Sequence, residues 1–111
     1  MREARLTVFN AVDASIDETS AAINAEQMSA ISAIATVTGT STGTLAMQVS
    51  NDAGPTPANW VTIPSATAAI SGANTYIIPT QGISYEWVRI IFTHTNAAAG
   101  TLTVSTKSDG Y

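Results

Sequence analysis

A strictly alternating segment near the middle of the chain limits the possible folds more than any other feature. Leu45, Met47 and Val49 alternate with small or polar residues, the period-2 pattern of a strand with one buried face. A glycine-rich turn precedes this segment. A Ser-Asn-Asp turn at residues 50–52 follows it, and such residues stabilise turns by bonding their own backbone. Trp60 comes next, where a large ring can cover the end of a small β core, so the segment predicts a structural scaffold.

Composition supports the same class of fold. Hydrophobic residues make up 45% of the 111 residues, but 19 of them are alanine. β-Branched residues are abundant, with 17 threonines, 11 isoleucines and 7 valines. β-Branched side chains are stiff at χ1 and pack well on a pleated surface. A chain of this length usually makes one domain, and we expect a single β-sandwich domain over residues 1–111.

Further strand-like segments are separated by turn signals about every ten residues, the spacing of a sandwich or barrel. Eight to nine short antiparallel strands in a jelly-roll-like sandwich are therefore predicted. We expect Pro64 and Pro79 to end strands, Gly72-Ala73-Asn74 to form a hairpin, and both faces of the Tyr85–Thr95 strand to be buried. The predicted strands are Thr7–Val12, Ser20–Ile23, Met28–Thr38, Leu45–Val49, Trp60–Ile63, Thr67–Ser71, Thr75–Ile78, Tyr85–Thr95 and Thr101–Thr106.

Charge is unusually scarce. Only 11% of residues are charged, against about 25% in ordinary soluble domains. Two explanations stay open: a neutral Thr/Ser-rich surface, or a surface covered by partner subunits, because interface centres are depleted in charge. The net charge of −4 argues against nucleic-acid binding, which needs a basic face.

Several classes of site lack their residues. The chain has no cysteine, which excludes disulfides and thiol chemistry. Asp13, Asp17 and Glu18 form an acidic group without the spacing or the glycine of a calcium loop, so we expect no metal. The only histidine, His94, ends a strand with no partner residues in its sequence neighbourhood that would make it catalytic. We expect no enzyme activity and no cofactor.

The strand around Trp87, Arg89 and Ile91 holds the best candidates for a contact surface, because all three lie on one face of a period-2 ribbon. Arg89 is expected either to pair with a carboxylate or to sit at a contact, since aromatic residues and arginine are enriched at interface anchors. Trp60 and Tyr111 complete the candidate interface. As an alternative, Trp60, Tyr76, Tyr85 and Trp87 could together form a sugar-stacking platform.

Short motifs along most of the chain resemble small virion proteins of tailed bacteriophages. The motifs are Phe9-Asn10-Ala11, the turn from Gly39 to Gly43, the strand Leu45 to Val49, Ser50-Asn51-Asp52, Asn59-Trp60-Val61, Trp87-Val88-Arg89 and Gly100-Thr101-Leu102-Thr103-Val104. The resemblance implies a jelly-roll-like sandwich that serves as a capsid decoration (cement) protein or a small tail component. The Ser-Asn-Asp turn departs from the pattern, because residues 53–57 lengthen it.

These observations lead to one expected function and one alternative. We expect a non-enzymatic virion structural protein, first of all a capsid decoration protein that bridges capsid subunits. Its partners would be the major capsid protein or other virion subunits and further copies of itself, with no nucleic acid and no membrane. No secretory signal or apolar run of about 18 residues is evident, so we expect assembly in the host cytoplasm into the virion. The alternative is a tail-fibre module or another β-sandwich module that binds a receptor or a carbohydrate.

Overall fold

Nine strands form two antiparallel sheets in the computed structural model, which describes residues 2–96 and 98–110. The strands are β1 Arg2–Asp13, β2 Glu18–Thr19, β3 Ile23–Asn24, β4 Met28–Gly39, β5 Thr42–Ser50, β6 Val61–Ser71, β7 Asn74–Gly82, β8 Trp87–His94 and β9 Gly100–Gly110. No helix in the described part of the chain is long and apolar enough to cross a membrane.

The order of the strands is that of a jelly roll. The first sheet runs β1-β9-β4-β7, and the second runs β8-β5-β6 with β2 and β3 both paired to the free edge of β8. If β2 and β3 are counted as one interrupted strand, each sheet has four strands, the arrangement of an eight-stranded jelly roll. The predicted all-β sandwich is therefore confirmed.

The core lies between the two sheets, where alternate residues of each strand point inward. From β5, Leu45, Met47 and Val49 are buried, as the alternating segment predicts. The long strand β4 contributes its own alternate residues, among them Ile31 and Val37. The largest fully buried side chains are Phe92, Ile31, Leu45, Met47, Ile78, Ile90, Leu102, Val88 and Val104.

The two prolines that were expected to end strands lie inside them, so that prediction is wrong. β6 continues through Pro64 and β7 continues through Pro79. Both strands are sheet edges, and the register with their single neighbour shifts near each proline, between Ala46 and Gln48 and between Ile31 and Ala33. Proline is tolerated at an edge or a bulge because no ladder hydrogen bond needs its missing N–H there.

Gly72-Ala73-Asn74 does not form a hairpin within one sheet. It connects β6 of the second sheet to β7 of the first, and Gly72 has a φ of 80°, a conformation that glycine adopts at little cost. The consecutive strands β8 and β9 likewise belong to different sheets. Such crossings are what close a two-sheet sandwich, and local turn chemistry does not distinguish them from hairpins.

The predicted strand Ser20–Ile23 is also not continuous. The chain leaves the ladder between β2 and β3, and Ser20 bridges the gap. Its backbone N–H donates to the carbonyl oxygen of Ile90 at 2.9 Å, and its hydroxyl oxygen accepts the Ile90 N–H at 2.8 Å. A side chain thus replaces a backbone acceptor at this point.

Strand β8 begins at Trp87 and is buried on one face only. Val88, Ile90 and Phe92 point into the core, whereas Trp87, Arg89 and Ile91 on the opposite side are partly exposed. The expectation that both faces are buried is therefore wrong. The outward side of β8 is a partly covered sheet surface, and the candidate site lies there.

Candidate interaction face

The outward surface of the second sheet brings together four of the five residues that the sequence singled out. We call this surface the interaction face. The register of strands β6, β5 and β8 determines which residues lie on this surface. Gln48 pairs with Arg89 on one side and with Thr62 on the other, and residues directly opposite in neighbouring strands share a face. Its residues are Gln48, Trp60, Trp87, Arg89 and Ile91. The fifth predicted residue, Tyr111, lies outside the described residues.

Arg89 is held at the centre of the face by two neighbours. Its guanidinium carbon lies 4.3 Å from the centroid of the Trp60 ring, within the range of a cation–π contact. Its Nε–H donates to Gln48 Oε1 at 2.8 Å, and Gln48 Nε2 donates in turn to Thr62 Oγ1 at 3.2 Å. Partial burial lowers the pKa of Arg89, although the group stays charged because arginine titrates far above neutral pH.

The sequence left two roles open for Arg89, and one of them is not observed. No described carboxylate lies within salt-bridge distance of its guanidinium. Burial is the only cause that lowers the pKa of Arg89, so no described charged group compensates it. Arg89 is thus a positive charge fixed by stacking and by one amide rather than by an ion pair.

Trp60 reaches Arg89 because Asp52 folds the preceding loop. The Asp52 carboxylate accepts the backbone N–H groups of Ala58 and Asn59, each at 2.7 Å, and the Asn59 side-chain amide at 3.0 Å. These hydrogen bonds, those from Asn59 first, hold the pKa of Asp52 below its ordinary value. The indole N–H of Trp60 donates to the carbonyl of Pro57 at 3.2 Å. The lengthened turn therefore forms an ordered loop.

The same loop is tied to strand β8 at Trp87. The indole N–H of Trp87 donates to the backbone carbonyl of Asp52 at 3.2 Å, and the Asn51 side chain accepts the Glu86 N–H at 3.2 Å. Both Trp residues therefore use their polar atoms within the chain and leave partly exposed rings on the face. Ile91 also lies on the interaction face. It pairs with Ala46 of β5, and Ala46 is only 6% exposed.

The alternative sugar platform is not assembled. Tyr76 lies near the start of β7, and its hydroxyl accepts the Ser71 N–H and donates to the Gly72 carbonyl at the turn. Tyr85 follows the far end of β7, and Trp60 stacks on Arg89. Tyr85 instead borders a groove of about 410 Å³ whose other walls include Asn51, Asn59, Val61, Ile63 and Pro64.

A pair of carboxylates, Glu26 and Glu86, lies at the same end of the sandwich as Tyr85, and the local sequence pattern does not reveal it. The pKa of Glu86 is raised, first by hydrogen bonding with the Glu26 side chain, then by desolvation and by charge repulsion from Glu26. The backbone explains their proximity, because the Ala25 N–H donates to the Glu86 carbonyl at 2.8 Å. Sixty residues of sequence separate the pair, so only the strand topology could have shown it.

Two further acidic residues have hydrogen-bond partners of their own. Asp13 caps its own turn by accepting the Ser15 N–H and hydroxyl at 2.8 and 2.6 Å. Asp17 Oδ1 contacts His94 Nδ1 at 2.5 Å and accepts the His94 backbone N–H at 3.0 Å. In residues 2–96 and 98–110, no group of three or more His, Cys, Asp and Glu side chains could hold a metal ion.

Among known proteins, similarity to this chain is found in solved structures and not in sequences. No protein-family profile matches the chain, and no curated protein matches its sequence. Among solved structures it is similar to XepA, an exported protein of PBSX, with a TM-score of 0.77 at 12% identity over 97% of this chain. It is also similar to the SPBc2 prophage-derived protein YomS, with a TM-score of 0.62 at 10% identity over 96% of this chain and 92% of YomS. A third relative comes from infectious bursal disease virus, with a TM-score of 0.61 at 9% identity over 96% of this chain.

These similarities establish a shared fold. The chain spans only 37% of XepA and 31% of the viral protein, so both contain further parts with no counterpart here. YomS is matched over nearly its whole length. The jelly-roll-like architecture that the resemblance implied is therefore confirmed, and the chain shares this fold with proteins of prophage and viral origin.

Proposed function

We propose that this chain is a non-enzymatic structural protein of a phage virion and that it acts as a capsid decoration protein. The observation that supports this most is the jelly roll shared with XepA and YomS over nearly the whole chain. The preformed interaction face adds a second reason, since aromatic residues and arginine anchor protein interfaces. Only 11% of the residues of the chain are charged, and the centres of protein interfaces are depleted in charge.

The mechanism in this proposal is mechanical. A rigid sandwich lies across the junction of neighbouring capsid subunits and buries surface on each of them, so that separating the subunits also requires removing the bridge. Any ligand that binds only the assembled state stabilises it by mass action. Oligomers of the chain arranged around a symmetry axis would multiply these contacts.

The test uses particles of the phage whose genome encodes the chain. Particles that lack the protein should release their DNA at a lower temperature than complete particles, and adding the purified protein should restore the difference. Cryo-electron microscopy of the restored particles should show density at repeated positions on the capsid. Protein that does not sediment with the particles, or particles of unchanged heat stability, would contradict the proposal.

The groove beside Tyr85 favours one second candidate, a carbohydrate-binding module on a tail fibre. An exposed tyrosine ring next to Asn51 and Asn59 offers a stacking surface and amide hydrogen bonds, which suit a sugar. This candidate predicts glycan binding that is lost in Tyr85→Ala and kept in Arg89→Gln. Density at the tip of a tail fibre rather than on the capsid would support it over decoration.

A further inference from the structure

We infer that Arg89 is a receptor for a single carboxylate, and that the interaction face binds a partner protein through an acidic side chain inserted against Trp60, Trp87 and Ile91. This inference rests on the proposed function and names the chemistry by which the partner is recognised. It commits to a glutamate or aspartate on a protein surface.

The geometry of the Arg89 guanidinium suits a carboxylate. Arginine has five N–H donors arranged in a rigid fork that matches a carboxylate. Gln48 accepts the Nε–H, and the Trp60 ring covers one flat side of the group. Neither contact uses the four donors on the two Nη atoms. Stacking and the Gln48 bond fix the side chain before any partner arrives, so little conformational entropy is lost when a carboxylate binds.

The charge of Arg89 is not balanced by a described carboxylate. The chain has a net charge of −4, yet no described carboxylate lies within salt-bridge distance of Arg89. The Asp52 carboxylate, in the loop whose backbone binds Trp87, is already held by Ala58 and Asn59. A positive charge beside apolar rings is stabilised by an opposite charge that arrives with apolar neighbours, because the attraction between the two charges is stronger where water is excluded.

The small number of cations on the interaction face favours a protein carboxylate over a nucleic-acid phosphate. Lysine and arginine number four in the sequence, and the three others, Arg2, Arg5 and Lys107, belong to β1 and β9 of the opposite sheet. A phosphate polymer is bound by rows of cations, whereas the interaction face carries one. A single acidic side chain flanked by apolar residues matches one arginine flanked by Trp87 and Ile91.

The first experiment measures sedimentation with particles of the encoding phage. Arg89→Gln should weaken binding by about 30-fold, the size of an interface hot spot, and Arg89→Lys should weaken it less. Arg5→Gln, which removes a cation from the opposite sheet, is the matched control and should bind like the unaltered protein. Circular dichroism and thermal melting of each variant establish that it is folded.

The second experiment identifies the partner group. Arg89→Lys protein, added in excess to occupy the particles, is treated with a zero-length carbodiimide that joins amines to carboxylates in contact. Mass spectrometry should find position 89 joined to an aspartate or glutamate of another chain, and Arg5→Lys should give no such product. Particle-bound protein that is joined at position 89 only within its own chain, or not at all, would overturn the inference.

The outcomes separate the two proposals. If the unaltered protein does not bind particles, both the decoration role and the carboxylate receptor are rejected. If the unaltered protein and Arg89→Gln bind equally, decoration stands and the receptor is rejected. Binding that is lost in Arg89→Gln but is blocked by DNA or by polyphosphate at low concentration would show that phosphate, and not a protein carboxylate, occupies the site.

Discussion

Asp52 and Asn59 are joined by three hydrogen bonds, one from the Asn59 backbone N–H at 2.7 Å and two from its side-chain amide at 3.0 and 3.3 Å. These bonds close the loop directly before Trp60, so they decide where the Trp60 ring lies. The position of Arg89 therefore depends on a carboxylate that does not touch it. The loop that contains Asp52 and the strand β8 are far apart in sequence, yet they form one structural unit.

Replacing Asp52 should open the loop without unfolding the sandwich. In Asp52→Ala the N–H groups of Ala58 and Asn59 lose their acceptor, so their amide hydrogen exchange should accelerate. Exchange in the core strand β5 should stay unchanged, and Trp60 fluorescence should shift towards that of exposed tryptophan. Thr56→Ala, an exposed change in the same loop, is the control. Unchanged exchange at residues 58 and 59 would show that the loop is held by other contacts.

Much of the second sheet could be predicted from local pattern. The alternation of Leu45, Met47 and Val49 with polar residues predicts both the strand and its buried face. The pattern of β8 has apolar residues on both sides, so it does not show that only one side is buried. What local pattern does not contain is which strand pairs with which. Gln48 lies 41 residues from Arg89 in sequence, and their contact follows from the register of β5 with β8.

Gly43 in strand β5 should not tolerate a larger residue. A methyl group added there would overlap the carbonyl oxygen of Thr93 and come within 2.8 Å of the Phe92 ring. Gly43→Ala should therefore lower the free energy of unfolding by about 1–3 kcal/mol, the usual cost of overpacking. Gly82→Ala is the matched control, because a methyl group there would meet nothing within 4 Å. Urea denaturation measures both, and equal effects would contradict this packing.

Acid should destabilise the sandwich partly through Asp17. The hydrogen bond with His94 holds the pKa of Asp17 below its ordinary value of 3.8. A carboxylate with a lowered pKa in the folded state stabilises the fold at pH values above its unfolded pKa, and this stabilisation disappears as the pH falls through the folded pKa. Melting temperatures measured from about pH 6 down to pH 2 should therefore fall less steeply in Asp17→Asn.

A residual slope should remain in that variant, because the pKa values of Asp13 and Asp52 are also lowered, mainly by Ser15 and Asn59 respectively. Glu18→Gln, which removes a nearby carboxylate, is the control. If Asp17→Asn and the unaltered protein lose stability in parallel over the whole acid range, the Asp17–His94 contact does not contribute to folding.

The interrupted edge of the second sheet shows where sequence reasoning fails for a physical reason. Residues 20–23 are small and apolar enough to be a strand, and the pattern predicts a continuous one. The chain instead leaves the ladder after Thr19 and returns at Ile23. Nothing local marks this departure, because the group that compensates for it is a serine hydroxyl 70 residues from its partner.

Ser20 should therefore matter more than its size suggests. It is 7% exposed, and in Ser20→Ala the buried N–H of Ile90 loses the oxygen that accepts it at 2.8 Å. Leaving a buried donor unsatisfied costs about 1–3 kcal/mol, so the free energy of unfolding should fall by that amount, and Ile90 should exchange its amide hydrogen faster. Ser71→Ala, at an exposed position, should change stability by less than about 0.5 kcal/mol. A stability loss in Ser20→Ala no larger than in Ser71→Ala would mean that the ladder of β8 closes without this hydroxyl.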